Sequence, residues 1–159
     1  MITESIDNFN PIQGSILALD LGAKKIGIAI SDRDRKVALP FKLLIRKNIK
    51  SDIEYIVKLA QEELCAGIVI GMALSMDGSY TLGSEIAKKF ATMFAQASDL
   101  PVLLYDERFS TKLAHTKLTE FSRKKRDAMD DMVAASTILE EVLRRLLYLT
   151  KTPCEYKSL

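Results

Sequence analysis

Three acidic residues in this chain sit where a rigid backbone element would hold each one. Asp20 follows the apolar run Ile16-Leu17-Ala18-Leu19 and precedes Gly22. Glu107 follows Val102-Leu103-Leu104-Tyr105, and Asp131 opens a long amphipathic stretch. A carboxylate at the end of a core element is costly to desolvate unless something positive lies beside it. Oxygen-only donors of this kind suit Mg²⁺ or Mn²⁺, and a pair of such ions supports in-line cleavage of a phosphodiester. The chemistry expected is metal-dependent phosphodiester hydrolysis, with Asp20 bridging two ions about 3.5–4 Å apart and Glu107 and Asp131 each holding one.

The elements that must position these acids follow from hydrophobic periodicity. Residues 15–21 read as a strand buried on both faces, bounded by Gly14 and Gly22. Ala23-Lys24-Lys25 turns the chain into a second strand, 26–30, and a third follows over about 37–45, with Pro40 marking an edge or a bulge. The period then becomes helical. Ser51 is placed to cap a helix carrying Ile53, Ile56, Val57, Leu59, Ala60 and Leu64. A buried strand over 66–72, a helix over about 80–97 and a strand over 101–106 come next. Ser110 or Thr111 then caps a short helix to Leu118, and a last helix covers about 128–149. A meander of three antiparallel strands followed by α-β-α-β-α predicts a five-stranded mixed sheet flanked by helices, the ribonuclease-H-like layout. The domain is expected over 15–150, with tails at 1–14 and 151–159.

Geometry separates the acids from their neighbours. Asp106 and Glu107 are adjacent at a strand end, so they point to opposite faces and only one reaches a shared site. Asp131 lies on the helical stripe of Ala135, Ile138, Val142 and Leu146, whereas Asp130 lies with Ala134, Thr137, Glu141 and Arg145. Asp131 therefore faces the sheet and Asp130 faces water. Two of the acids also have a plainer role: a turn cap for Asp20 and compensation of the helix dipole for Asp131.

Composition bounds the partner. The chain has 159 residues, 48% apolar and 28% charged, which fits one globular domain. Net charge is only +2, but from Lys112 to Arg126, in the stretch that separates Glu107 from Asp131, lie Lys112, Lys117, Arg123, Lys124, Lys125 and Arg126, opposed by Glu120 alone. The Arg123, Lys124, Lys125 and Arg126 segment is the expected grip on a nucleic-acid backbone, with Lys24, Lys25 and Arg108 as phosphate contacts nearer the acids. Arg108 could equally pair with a neighbouring acid. Gly78 and Ser79 could offer amides to phosphate, or simply turn the loop. His115 is the only histidine, which excludes histidine-built metal sites and a serine–histidine triad. Cys65 and Cys154 have no metal-ligand spacing and form no disulfide framework. No apolar run is of membrane-spanning length and residues 1–10 are unlike a signal peptide, so a cytoplasmic protein without membrane contact is expected. The Asp20-x-Gly22 turn also occurs in actin-like ATPases, but this chain is too short for their two lobes.

The stretches ALDLGAKKIGIAISD, IVIGMALSMDGS, LPVLLYDERFST and MDDMVAASTILEEVL occur in this order over about residues 17–143. Together they resemble the Holliday-junction-resolvase-like (YqgF) family, whose members are described as pre-16S rRNA nucleases. The resemblance implies a ribonuclease-H-like fold, divalent metal and trimming of the 5′ end of precursor 16S rRNA. Motif by motif it carries the family's acids onto Asp20, Glu107 and Asp131. It also implies that true resolvases, which have a similar layout, carry an acid at the end of the strand that here reaches Gly71. Glu107 would then supply that ligand from the next strand. Where the family usually reads G-L-P-L-N-x-D-G, this chain has Ala73 for the proline and Ser75 for the asparagine. Branched DNA is the alternative substrate, a non-catalytic nucleic-acid-binding module the alternative role, and a monomer or weak homodimer the expected assembly.

Overall fold

The computed structural model describes residues 1–9, 11–109 and 123–151, without the side chains of 109 and 123–128. The expected meander forms β2 (Ser15–Leu21), β3 (Lys25–Ser31) and β4 (Ala38–Ile45). Helix α1 (Ile49–Glu62), β5 (Cys65–Met72), α2 (Leu82–Ala97), β6 (Val102–Asp106) and α3 (Arg123–Lys151) follow. The short helix expected from Ser110 or Thr111 to Leu118 falls outside the described residues, as do Lys112, Lys117, His115 and Cys154.

The sheet has six strands rather than five, ordered β1-β6-β5-β2-β3-β4. The additional strand, β1 (Ile2–Thr3), pairs in parallel with β6, and Val102 N–H donates to the Met1 carbonyl. The opening segment, read from sequence as a mobile tail, therefore covers the outer edge of β6. It also inserts Phe9, which is 2% exposed, beneath Gly67. Strands β2, β5 and β6 run parallel, so their carboxyl ends share one end of the sheet. Strand β4 forms the opposite edge, and its register with β3 shifts next to Pro40, where a missing N–H does least harm.

Period-two alternation divides the core. Leu17, Leu19, Ile26, Ile28, Ile68, Ile70, Val102 and Leu104 face α1 and α2. Ile16, Ala18, Ala29, Val69, Leu103 and Tyr105 face α3, which contributes Ala135, Ile138, Leu139 and Val142. Asn48, not Ser51, caps α1: its side chain accepts from Ser51 N–H at 2.9 Å. Thr81 and Ser84 form a reciprocal capping box on α2.

Helix α3 lies close on the sheet because β3 has a gap there. A Cβ at Gly27 would overlap the Asp131 carbonyl oxygen and stand 3.0 Å from Met132 N. Gly27→Ala is accordingly expected to push α3 off β3. Overpacking of this kind costs about 1–3 kcal/mol, readable as a lowered thermal midpoint; a midpoint at or above wild type would show that the helix seat is slack.

Candidate active site

The three acids lie toward the carboxyl end of the parallel strands, on the α3 face, and approach one another in pairs. Asp20 continues the α3-facing positions 16 and 18 of β2, and its cross-strand partner is Gly27. Since Gly27 carries no side chain, the backbone of Asp131 packs where one would stand beside Asp20. The described part of α3 starts at Arg123, so Asp131 is at least two turns inside the helix, beyond the reach of the N-terminal dipole. Dipole compensation, the plainer role for Asp131, is thereby removed. Asp131 is half-buried and Asp130 exposed, and Ala135, Ile138 and Val142 on the same stripe are buried.

Glu107 is the first residue of a 3₁₀ turn, Glu107–Phe109, that follows β6. Strand β5 lies between β6 and β2, and an ordinary side chain on it would wall Glu107 off from Asp20. Gly71 opens that wall. A Cβ there would overlap Glu107 Oε1, and Ile138 Cδ1 would be 2.8 Å away. The carboxylate lies across the bare Cα of Gly71, directed toward β2, where the resemblance to resolvases suggested an acid was needed.

Electrostatics reflect this convergence. Burial first, and then the charge of Asp131, push the Asp20 carboxyl up to about 6. Burial, followed by the charges of Asp20 and Asp106, pushes Glu107 up to about 7. The unfolded chain releases these protons near the ordinary values of 3.8 and 4.5, the folded chain only near 6 and 7. Across that window the folded state binds more protons. This contribution to stability is complete below about pH 4 and is lost as pH rises through 6 to 7. A divalent cation bound by the carboxylates should reverse the loss. The thermal midpoint of metal-free protein is therefore expected to fall between pH 5 and pH 7.5, and Mg²⁺ or Mn²⁺ to raise it more at pH 7.5 than at pH 5. An equal metal effect at both pH values would separate the carboxylates from the ion.

The donor set is oxygen-only, the chemistry a hard cation prefers. Among the described residues no three acidic, histidine or cysteine side chains lie close enough together to enclose an ion. The approach is pairwise instead, Asp20 with Asp131 and Glu107 with Asp20. Mg²⁺ is usually held by one or two carboxylates together with water and substrate phosphate, not by an all-protein cage.

Asp106, the last residue of β6, is turned not to Asp20 but to Arg108. The guanidinium of Arg108 grips it, Nη2 to Oδ2 at 2.7 Å and Nε to Oδ2 at 3.0 Å. Burial tends to raise Asp106, but hydrogen bonds and charge from Arg108 prevail and hold it below its ordinary value. Arg108 Nη1 also reaches toward the carbonyls of Ser75 and Met76 at 3.4 and 3.5 Å, tying the β5–α2 loop to the end of β6. In that loop Gly78 N–H donates to the Ser75 carbonyl and Ser79 N–H to Asp77. The two amides considered for phosphate are thus committed to the turn. Ser75, standing where the family usually has asparagine, bonds Asp77 and Ser79 through its hydroxyl and builds the loop.

Lys24 is exposed and Lys25 half-buried on the β2–β3 turn, within five residues of Asp20. Arg123, Lys124, Lys125 and Arg126 form the first turn of α3, on the side of Asp131 away from the core stripe's continuation, and their side chains lie outside the described residues. The two glycines that admit the acids, Gly27 and Gly71, had no assigned role from sequence. A glycine inside an otherwise apolar strand is the signal that marks them.

This sheet order, with a helix packed on the face that carries the acids, defines a ribonuclease-H-like fold of the resolvase type. T. thermophilus RuvC in complex with a Holliday junction substrate superposes with a TM-score of 0.55 at 10% identity, covering 84% of this chain and 96% of that one. The Fowlpox virus resolvase, bound to Holliday junction DNA, gives 0.53 at 16% identity, covering 84% and 99%. At such identities the likeness concerns the fold. Sequence narrows the assignment: a family model described as Holliday junction resolvase (RuvX) matches residues 14–145, and the chain belongs to that family. A protein of Rickettsia felis named "Putative pre-16S rRNA nuclease" is 38% identical over 148 residues, covering 90% of this chain and 96% of its own length. A protein of the same name from Paracoccus denitrificans is 37% identical over 157 residues, covering 96% and 99%. No helix among the described residues is long and apolar enough to cross a membrane.

Proposed function

We propose that this chain is a metal-dependent nuclease that hydrolyses phosphodiester bonds and trims the 5′ end of precursor 16S rRNA. The observation that carries this reading is the reach of Glu107 across Gly71 toward Asp20. A carboxylate displaced to the next strand and then returned to the sheet's acidic end is hard to explain as packing. The names of the full-length relatives supply the substrate class.

Asp20, Glu107 and Asp131 would hold Mg²⁺ or Mn²⁺, two ions in all. When bound, the ions would supply Lewis-acid activation of the attacking water and neutralise charge on the departing 3′ oxygen. The chain's own residues do the positioning. Asp20 is fixed by β2 between two hydrogen-bonded strands, and Asp131 by the seating of α3 on Gly27. Arg108 and Asp106 brace the turn from which Glu107 projects. Lys24 and Lys25 meet substrate phosphate from the adjoining turn, and the Arg123–Arg126 segment grips the strand away from the scissile bond. The Arg108 guanidinium, engaged by Asp106, acts on phosphate only through whatever donor capacity that pairing leaves.

The test is to incubate the purified chain with Mn²⁺ and, in parallel, a precursor 16S rRNA and a four-way DNA junction. Cleavage of the RNA near its mature 5′ end with the junction left intact is expected. Cleavage of the junction alone would assign a DNA endonuclease, and saturable Mn²⁺ binding with neither substrate cut would assign a non-catalytic binding module.

A further inference from the structure

Beyond the turn that follows Asp20, on the α1–α2 side of the sheet, lies an open groove of about 710 Å³. Three separate elements bring cations to it: Lys24 from the β2–β3 turn, Arg46 and Lys47 from the β4–α1 connection, and Lys89 from α2. Asp52 is the only carboxylate among its lining residues, and it is consumed internally. It is 2% exposed, pairs with Arg46 Nε at 3.0 Å and accepts from Lys47 N–H at 3.2 Å. Lys24, Lys47 and Lys89 take part in no ion pair among the described residues. In a chain whose net charge is only +2, this is a local concentration of uncompensated positive charge.

The groove is also held rigid. Arg46 N–H donates to the Lys24 carbonyl and Arg46 Nη1 to the Gly22 carbonyl, both at 2.9 Å. The Arg46–Asp52 pair, in which only the carboxylate is fully buried, thus fastens the turn after Asp20 to the head of α1. Exposed Ile45 and Ile86 give the groove apolar ground between the lysines. Phosphates spaced along a strand, with sugars between them, match that alternation.

We propose that this groove is a second substrate subsite, which holds the sugar-phosphate backbone of a single nucleic-acid strand after it crosses the β2–β3 turn from the acidic site. Lys24 stands at the crossing, and Lys47 and Lys89 flank the strand beyond it. The proposal deepens the nuclease reading and rests on it. It places the substrate on both faces of the sheet, wrapped over the sheet's carboxyl end, instead of only along α3.

The experiment compares wild type with Lys47→Ala/Lys89→Ala, and with Lys42→Ala/Lys58→Ala as a control that removes the same charge elsewhere. Affinity for a long single-stranded RNA in EDTA, which withholds the divalent ion that cleavage would need, is measured against salt, and thermal midpoints verify folding. Each phosphate contact on a single strand adds about 0.7 to the slope of log affinity against log salt. The groove variant is expected to lose about 1.4 in slope and roughly tenfold in affinity near physiological salt, while the control keeps the wild-type slope. Mn²⁺-dependent turnover of a small phosphodiester that spans only the acidic site should be unchanged in the groove variant. An unchanged slope in the groove variant, or an equal loss in the control, would overturn the proposal. The binding arm stands even if wild type cuts nothing, so failure of the nuclease reading is seen separately.

Discussion

Asp20→Asn is expected to lower the rate of RNA cleavage by on the order of 10³-fold or more while leaving RNA affinity equal to or tighter than wild type. The substitution preserves shape but removes the charge that faces both Asp131 and Glu107, and with it the site's hold on a divalent ion. The same change relieves repulsion. A half-buried carboxylate raised to about 6 is a burden on the folded state at neutral pH, so the variant should melt above wild type when both lack metal. Loss of activity with gain of stability is the signature of an acid kept for function. If a cleanly folded Asp20→Asn protein cuts as fast as wild type, the assigned chemistry is wrong.

Gly71→Ala is expected to cut activity by about 100-fold although position 71 bears no reactive group. The added methyl would stand where Glu107 Oε1 lies and press on Ile138. Glu107 is only half-buried and its flexible carboxylate can swing aside, so the fold should survive with little change in midpoint. The carboxylate would have to shift by about 1 Å to clear the methyl, and a misplacement of that size costs on the order of 10²-fold in rate. The Mn²⁺ concentration for half-maximal activity should rise in the same variant, as measured by titration of initial rates. A variant of normal activity and normal metal dependence would show that Glu107 reaches the site by another route.

How far the sequence revealed this arrangement depended on the range of the interaction involved. The strands of the meander and the runs before Asp20 and Glu107 declared themselves through apolar content and bounding glycines. The opposite facing expected of Asp106 and Glu107 follows from the strand period, and the difference between Asp130 and Asp131 from the helical one; both are local. The cap of α1 misled because Asn48 and Ser51 are both good capping residues three positions apart, and only the backbone turn decides that Asn48 accepts from Ser51. Strand β1 was hidden because two residues in a polar segment have no period, and what recruits them is the free edge of β6. The functions of Gly27 and Gly71 were hidden for a similar reason. A missing side chain signals close approach, but what approaches, the α3 backbone or the Glu107 carboxylate, is set by the sheet order. The Arg46–Asp52 pair likewise joins β4 to α1 around a turn 24 residues upstream of Arg46, a relation that no local window contains.

The most direct measurement is a crystal structure of the wild-type chain grown with Mn²⁺, its ions located by anomalous scattering. The account predicts manganese at the carboxyl end of β2, with Asp20 as a ligand and Glu107 and Asp131 completing the protein's contribution. Manganese bound elsewhere, or none at this end of the sheet in a crystal saturated with it, would contradict the account.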